Sequence, residues 1–281
     1  MIKILKSGLY TSIQDMGRMH FLNYGVPISG VMDSYSASLS NVMVGNAKTC
    51  AVMEVTLQGP EMEFMSATRI AITGADLSPT LNYTPVEMNT SISIQQGDLI
   101  GFGERKTGAR SYLAIAGGFQ TALVFGSRSY FEGITPNATI KKGDLLPFNS
   151  SFGTGVSFFD VKKQDHPTIF NQQTLEVQAG PEFDWLSNEQ QQKLLSNTYS
   201  LDLNNRMAYQ LQPLFPNSLK SIISSAVLPG TVQLTPSGKI IVLMRDGQTT
   251  GGYPRIAQLT EQSINQLSQK LHHEKAHFRL V

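Results

Sequence analysis

The stretch IIVLMRDGQTTGGY, residues 240–253, joins an apolar run to a polar loop and is the clearest guide to the fold of this chain. The apolar residues 240–244 have the length and composition of a buried β-strand. The loop after them carries charged and hydroxyl side chains and then Gly251 and Gly252, which let a backbone turn sharply or approach another molecule closely. We therefore predict a buried strand that ends in a binding loop.

Short apolar or alternating runs separated by turn residues recur along the chain, for example at 68–74, 91–102 and 111–118. This pattern of short apolar runs and turn residues predicts a mostly β fold with a few short helices. The segments QGDLIGF at 96–102 and KGDLLPF at 142–148 share a Gly-Asp turn before an apolar pair. We expect a β-strand to begin directly after a Gly-Asp turn at both places.

Three short helices are predicted from capping signals and apolar spacing. Asp33 is placed to cap the first helix, and Gly45 to end it. Ser187 and Gln190 have the spacing of a capping box for the second helix. The third helix is expected over 262–271, with an apolar stripe of Ile264, Leu267 and Leu271.

A chain of 281 residues can form one large domain or two domains of about 140 residues each. The segments LQGPEMEF at 57–64 and VQAGPEFDW at 177–185 align on Gly-Pro-Glu and favour two related β units. Residues 149–168 are rich in serine and glycine and then charged, which is typical of a boundary or a crossover. We predict one unit over 1–150 and a second over 151–281, with strands that can cross between them.

The charge balance excludes partners that are bound through net charge, because the sequence has 22 lysines and arginines and 21 aspartates and glutamates. No field of either sign attracts nucleic acid or an anionic membrane. Neither a signal-peptide stretch nor the roughly 20 apolar residues of a membrane span is present. The single cysteine, Cys50, fits a reducing compartment. We expect a cytoplasmic protein that binds a small molecule or another protein.

Several catalytic motifs are excluded. HEKAH at 273–277 has the letters of a zinc-protease helix, but the following residues alternate like a terminal strand, so we predict a turn and no metal site. The glycine-rich phosphate loop, the dinucleotide fingerprint and the nucleophile elbow are absent. Any use of ATP would not involve these motifs.

The first candidate site lies in SIQDMGR, where Gln14, Asp15 and Arg18 place an amide, an acid and a guanidinium around one glycine. The alternative is a salt-bridged loop in which Asp15 orients Arg18. Arg128, between two serines in GSRS, presents paired donors that suit a carboxylate or a carbonyl, although it could be a surface arginine.

The second candidate site is the loop at 245–253, which we call the opening loop because it belongs to the stretch quoted first. Arg245 and Asp246 end the strand, and Thr249 and Thr250 offer hydroxyl donors. The amides of the two glycines can form an anion-binding concavity. A tight hairpin alone would not need this combination, so we favour a binding site.

Taken together, the segments SIQDMGR, YGVPISGVMDSYS, AITGAD, GARSYLAIAGGF, GSRS and VLPGTVQLTPSGKIIVLMRDGQTTGGYPRIA resemble the biotin-dependent carboxyltransferase family. The resemblance runs in order from about residue 7 to residue 281. The family includes the C subunit of 5-oxoprolinase, allophanate hydrolase subunit 2 and an antagonist of a sporulation kinase inhibitor. The resemblance implies two cyclophilin-like β-barrel domains.

The activity that the resemblance implies is ATP-dependent opening of 5-oxoproline to glutamate. This chain would be the C subunit of the 5-oxoprolinase, acting with homologues of the A and B subunits, and ATP would be used by the complex. One alternative is carboxyl transfer from carboxybiotin to a urea-like acceptor, with biotin supplied by another chain. The other alternative is a non-catalytic regulator that binds a kinase inhibitor.

Matching the family motifs residue by residue implies a site made of Gln14, Asp15, Arg18, Asp33, Glu54, Arg128, Arg245, Asp246, Thr249, Thr250 and Tyr253. In our working hypothesis Arg128 or Arg245 holds the substrate carboxylate. The glycine amides or the two threonines polarise the lactam oxygen, and Asp15 or Asp246 moves a proton.

The chain departs from the family pattern at two places. Residues 130–144 replace a glycine-rich Gly-Arg segment, with Lys141 and Lys142 where an arginine is expected. In RMAYQL, Ala208 and Gln210 stand where the family has glycine and arginine. We expect the loss of a basic contact, so the substrate or the activity can differ from the family norm.

Overall fold

A computed structural model describes residues 1–149 and 170–281, and these form two compact units. Within the described ranges, unit 1 contains residues 1–18 and 29–149, and unit 2 contains residues 19–28 and 170–281. The boundary predicted over 149–168 lies, apart from Asn149, outside the described residues. The predicted division near residue 150 therefore stays a prediction.

Unit 1 is built from two antiparallel sheets. Its strands are β1 (Ile2–Lys6), β2 (Tyr10–Gln14), β3 (Val52–Thr56), β4 (Glu61–Phe64), β5 (Thr68–Asp76), β6 (Pro79–Leu81), β7 (Thr84–Pro85), β8 (Ser91–Ile94), β9 (Leu99–Phe102), β10 (Thr107–Ile115) and β11 (Leu145–Leu146). One sheet has the order β2-β3-β10-β5-β8 and the other β11-β1-β4-β9-β6-β7. Apolar side chains of both sheets share one core.

The five-stranded sheet is buried on both faces. Met53 and Val55 of β3 point into the shared core, whereas Val52 belongs to a second cluster with residues of helix α1 (Ser34–Met43). Since side chains alternate along a strand, Glu54 also lies on the helix side of the sheet. A carboxylate is therefore placed in the layer between α1 and the sheet.

Unit 2 is a closed seven-stranded barrel. Its strands are β12 (Thr174–Ala179), β13 (Tyr199–Asn204), β14 (Ala208–Gln212), β16 (Thr231–Leu234), β17 (Ile240–Leu243), β19 (Arg255–Leu259) and β20 (Lys275–Leu280). The order is β12-β19-β16-β17-β14-β13-β20, and the parallel pair β12 and β20 closes the barrel. A separate two-stranded sheet pairs β15 (Ser225–Ala226) with β18 (Thr250–Gly251).

The predicted mostly β fold is confirmed, and so is the buried strand of the opening stretch. β17 covers 240–243, and Ile240 and Val242 are fully buried. Both predicted Gly-Asp turns are also present. Gly97 and Gly143 have φ values of 89° and 92°, which favour glycine. In each turn the aspartate accepts a hydrogen bond from the backbone amide three residues earlier, at 2.7 Å and 2.8 Å.

The helices follow their predicted caps. The Asp33 side chain accepts a hydrogen bond from Ser36 N, and a complete capping box at Ser187 begins helix α2 (Asn188–Ser196). Helix α3 (Glu261–Ser268) ends earlier than predicted, and its residues 263–268 are all buried. Ile264 and Leu267 of the expected apolar stripe are buried, whereas Leu271 lies beyond the end of the helix. Because the helix packs on β12 and β19, it also buries polar side chains that the stripe did not predict.

The two Gly-Pro-Glu segments lead into different structures. The first enters strand β4, and the second enters a short 3₁₀ helix, Phe183–Trp185. The HEKAH motif at 273–277 is not helical, because His273 lies in a turn with φ of 67° and His277 lies in strand β20. Among the described residues, no helix combines the length and the apolar character that a membrane crossing needs.

The Ser187 cap gives a clean test of local stability. We expect Ser187→Ala to lower the free energy of unfolding of unit 2 by about 1 kcal/mol, because the Gln190 amide loses its partner. Urea denaturation followed by the fluorescence of Trp185, the only tryptophan of the sequence, measures this change. The control is Ser196→Ala, at an exposed serine in the last turn of α2. Equal losses in the two variants would contradict the cap assignment.

Candidate functional site

The carboxylate of Asp15 organises the loop that contains Arg128. Its Oδ1 accepts hydrogen bonds from Gly17 N at 2.8 Å, Ser127 Oγ at 2.6 Å and Ser129 Oγ at 2.8 Å. Its Oδ2 accepts one from Arg128 N at 2.6 Å. All these partners are hydroxyls or backbone amides, so the interpretation of Asp15 as the salt-bridge partner of Arg18 is not supported. Asp15 instead fixes the GSRS loop.

The side chain of Arg128 is held by two oxygens from the segment just before its loop. Nη2 donates to Gln120 Oε1 at 2.8 Å, and Nη1 donates to the carbonyl of Thr121. A guanidinium carries five N–H donors, so these bonds orient the group without using all of its donors. Arg128 is half-buried, and its remaining donors are available to a ligand.

Asp15 and Arg128 lie on the wall of one cavity in unit 1, with a volume of about 380 Å³. The other side chains and glycines of the wall include Cys50, Gly118 and Gln120. A Cβ at Gly118 would lie 3.2 Å from Cys50 Cβ, so the backbone runs close to the cysteine. The structure thus brings together an acid and a guanidinium that the sequence identified separately.

Gln14 and Arg18 are buried, and both hydrogen-bond to the backbone that directly follows Arg128. Gln14 Nε2 donates to Ser12 Oγ at 2.9 Å and to the carbonyl of Tyr130 at 3.3 Å. Arg18 Nη2 donates to the carbonyl of Ser129. Neither residue lines the cavity. They hold the chain that follows Arg128.

Asp33 and Glu54 meet in a buried network beneath α1. Glu54 Oε2 accepts hydrogen bonds from Met32 N at 2.7 Å and from the Tyr112 hydroxyl at 3.0 Å, and that hydroxyl accepts from Asp33 N at 2.8 Å. Arg110 Nε lies 3.9 Å from Glu54 Oε1. Burial, with the nearby carboxylates of Glu54 and Asp33, holds the pKa of Tyr112 well above its ordinary value.

In unit 2 the opening loop is anchored by an ion pair that the sequence analysis missed. Arg206 Nε and Nη2 donate to Asp246 Oδ2 and Oδ1 at 2.8 Å and 3.2 Å, and Asp246 N donates to the Arg206 carbonyl at 2.8 Å. The two side chains are 6% and 12% exposed. The pair connects RMAYQL to RDGQTTGGY across 40 positions of the sequence.

Two buried polar atoms of the same loop have no hydrogen-bond partner among the described residues. They are Nε of Arg245 and Oε1 of Gln248. Arg245 also forms an ion pair with Glu261 through Nη2. Leaving a buried donor or acceptor unsatisfied costs about 1–3 kcal/mol, so an ordered water or a ligand is expected to pair with each of these atoms.

The end of the loop is held by backbone pairing. Thr250 and Gly251 form β18, the Thr249 carbonyl accepts from Val227 N at 3.1 Å, and the Gly252 carbonyl accepts from Ile222 N at 2.9 Å. A Cβ at Gly251 would lie 2.3 Å from Nε2 of the Gln233 side chain. The close approach predicted for this glycine therefore involves a neighbouring side chain. Tyr253 follows with 39% of its surface exposed.

Of the positions that depart from the family pattern, the two lysines are exposed and Ala208 and Gln210 are partly buried, whereas Tyr130 and Ile140 of the segment 130–144 belong to the core of unit 1. Lys141 and Lys142 are exposed in the Gly-Asp turn before β11. Tyr209 and Leu211 are buried in the barrel, so Gln210, between them on β14, points to the outer face. None of these residues lines the cavity of unit 1.

A second ion pair that the sequence analysis missed gives a pH test. Arg255 donates from Nε and Nη2 to Glu182 at 3.0 Å and 2.8 Å, and these hydrogen bonds hold the pKa of Glu182 below its ordinary value. The stabilisation is complete above the unfolded-state pKa, about 4.5, and is lost as the pH falls through the folded-state pKa. We expect Glu182→Gln to cost about 1 kcal/mol at neutral pH.

The measurement for Glu182 is urea denaturation of both proteins at neutral pH and at about pH 2, because the difference is lost only below the folded-state pKa of Glu182, which lies under the ordinary glutamate value. We expect the difference in unfolding free energy to shrink towards zero at the lower pH. A difference of the same size at both pH values would exclude the ionised pair as its source.

Comparison with known proteins gives one consistent relationship. The sequence model of one protein family, described as the carboxyltransferase domain, subdomain A and B, matches residues 24–280. The C subunit of 5-oxoprolinase from Escherichia coli (strain K12) is 32% identical over 276 residues, which cover 96% of this chain and 87% of that protein. The urea amidolyase of Lachancea kluyveri is 40% identical over 152 residues, which cover 52% of this chain but 8% of that protein.

Solved structures agree with this relationship. The crystal structure of the K. lactis urea amidolyase superposes with a TM-score of 0.87 at 27% identity and covers 99% of this chain. This chain spans 18% of that structure, and 55% of another solved chain that matches with the same TM-score. The family match, the likeness to the C subunit of 5-oxoprolinase along nearly the whole sequence and the shared fold together show that this chain belongs to the biotin-dependent carboxyltransferase family.

Proposed function

We propose that this chain is the C subunit of an ATP-dependent 5-oxoprolinase, which opens the lactam of 5-oxoproline to glutamate together with homologues of the A and B subunits. The observation that carries the proposal is the cavity of unit 1, where Arg128 and Asp15 lie side by side. It occurs in a chain that resembles the C subunit of a bacterial 5-oxoprolinase along 96% of its length. A cytoplasmic location is part of this proposal.

The cavity suits the substrate in size and in chemistry. 5-Oxoproline is a five-membered lactam with one carboxylate, and a volume of about 380 Å³ holds it with room for water. Arg128 would bind the carboxylate, because a guanidinium offers planar paired donors and Gln120 already orients it. The lactam then lies beside Asp15 and the glycine backbone at Gly118.

Asp15 has a positioning role in this proposal. Its two oxygens accept four hydrogen bonds that hold Gly17, Ser127, Arg128 and Ser129. A carboxylate held in this way keeps the Arg128 loop in one geometry, which substrate binding requires. Asp246 is held similarly by Arg206, so proton transfer is assigned to neither carboxylate.

In this proposal ATP does not bind in the cavity of unit 1. A triphosphate needs several cationic or amide donors at once, whereas Arg128 is the one cation among the described residues of this wall and Asp15 adds a negative charge. We therefore place the nucleotide in another part of the complex. The wall also carries the apolar side chains Met16, Phe119 and Leu123. Carboxybiotin transfer is the alternative function.

The test is reconstitution with the homologues of the A and B subunits. We expect glutamate release from 5-oxoproline and ATP to require all three chains and to stop when this chain is omitted. Turnover without this chain would overturn the proposal. Transfer of carboxyl from carboxybiotin to urea by this chain, without lactam opening, would support the carboxyltransferase alternative. A silent complex that inhibits a kinase inhibitor would support the regulatory alternative.

A further inference from the structure

A second cavity lies in unit 2, at the first residues of β12 and the first turns of α3. Its volume is about 360 Å³. Its wall is formed by Gln172, Gln173, Thr174, Glu176, Gln262, Ser263, Gln266 and Arg279. All eight side chains are polar, and six of them are uncharged, which distinguishes this cavity from a packing defect between apolar groups.

The floor of this cavity contains an unsatisfied carboxamide. Gln266 is 3% exposed, and its Oε1 has no hydrogen-bond partner among the described residues. Its Nε2 donates to Gln172 Oε1, so the orientation of the amide is set by that contact. A buried carbonyl oxygen without a donor costs about 1–3 kcal/mol, and in most proteins such an atom is paired with a protein group, an ordered water or a ligand. The missing group must supply an N–H or an O–H.

The rim carries one charge of each sign. Glu176 and Arg279 face each other on the parallel strands β12 and β20, and Arg279 Nη2 forms an ion pair with Glu176 Oε1. Their side chains are 32% and 62% exposed, so a ligand can reach both. Within the described ranges no other charged residue lines the cavity, and the net charge of this lining is therefore zero. An electrically neutral zwitterion matches such a site better than an anion or a cation.

We propose that this cavity binds a small amino acid that bears a carboxamide. The carboxamide N–H would donate to Gln266 Oε1, the α-carboxylate would pair with Arg279 and the α-ammonium with Glu176. The neighbouring glutamines and Ser263 present further donors and acceptors to the same ligand. This site is separate from the cavity of unit 1 and does not depend on the 5-oxoprolinase proposal.

The test uses the isolated chain and two probes of nearly equal size. L-Glutamine carries the carboxamide donor and no net charge, whereas L-glutamate replaces that donor by a carboxylate. We expect saturable binding of L-glutamine in isothermal titration calorimetry and at least about tenfold weaker binding of L-glutamate. This comparison needs no variant. Equal affinities, or no binding of L-glutamine, would overturn the proposal.

Variants then locate the binding. We expect Gln266→Leu to weaken L-glutamine binding at least about tenfold and to leave the fold intact, because the change removes an unsatisfied carbonyl oxygen together with one hydrogen bond to Gln172. The control is Gln95→Leu, at an exposed glutamine of unit 1. Unchanged affinity in a Gln266→Leu protein with a wild-type melting profile would also overturn the proposal.

Discussion

Replacing Arg128 by leucine will lower kcat/KM for 5-oxoproline in the assembled complex by about 100-fold, because the substrate carboxylate loses its paired charge. The loss will fall mainly on KM if Arg128 contacts the carboxylate equally in the ground state and the transition state. Arg128→Lys will recover part of the activity, since an ammonium supplies the charge without the planar pair of donors.

The control for this prediction is Arg105→Leu. Arg105 is an exposed arginine of unit 1 that does not line the cavity, and we expect wild-type turnover from its variant. Thermal unfolding of each variant shows whether the fold is retained, because Arg128 also bonds to Gln120 and Thr121. Wild-type kcat/KM in the folded Arg128→Leu complex would contradict the assignment.

Breaking the pair between Arg206 and Asp246 will destabilise unit 2 by about 3–5 kcal/mol, since either single variant leaves an uncompensated charge in a mostly buried place. Arg206→Leu and Asp246→Leu are the two single variants. The double variant will lose less than the sum of the two, because no charge is left behind. Urea denaturation followed by Trp185 fluorescence reports on the unit that contains the pair.

The exposed pair of Glu176 and Arg279 in the same barrel is the matched control. We expect Arg279→Leu to change the unfolding free energy by less than about 1 kcal/mol, because both side chains remain in contact with water. Equal losses at the buried and the exposed pair would show that burial does not determine the effect.

Local signals in the sequence predicted local structure well. The apolar run at 240–244, the cap at Asp33 and the capping box at Ser187 each depend on residues within a few positions of one another. Helix α3 was less predictable, because its polar residues are buried by packing against β12 and β19. The burial of Ile264 and Leu267 follows their spacing, whereas the burial of the polar residues depends on tertiary contacts that leave no local pattern.

The candidate site shows the same limit. Asp15 and Arg128 were each identified from their neighbours, but their contact joins residues 113 positions apart and depends on the fold. Tyr112 lies opposite Glu54 in the pairing of β10 with β3, and neither residue type alone indicates that partner. The pair of Arg206 and Asp246 could have been suggested by opposite charges at the ends of neighbouring strands, since β14 pairs with β17.

The proposed function depends on one contact, in which Arg128 holds the carboxylate of a lactam substrate in the cavity of unit 1. Its most direct test compares the binding of 5-oxoproline with that of 2-pyrrolidinone, the same ring without the carboxylate, to the assembled complex with wild-type chain and with Arg128→Leu. We predict that the wild-type complex prefers 5-oxoproline at least about tenfold and that the variant loses this preference. A preference of the same size in both complexes would contradict the claim.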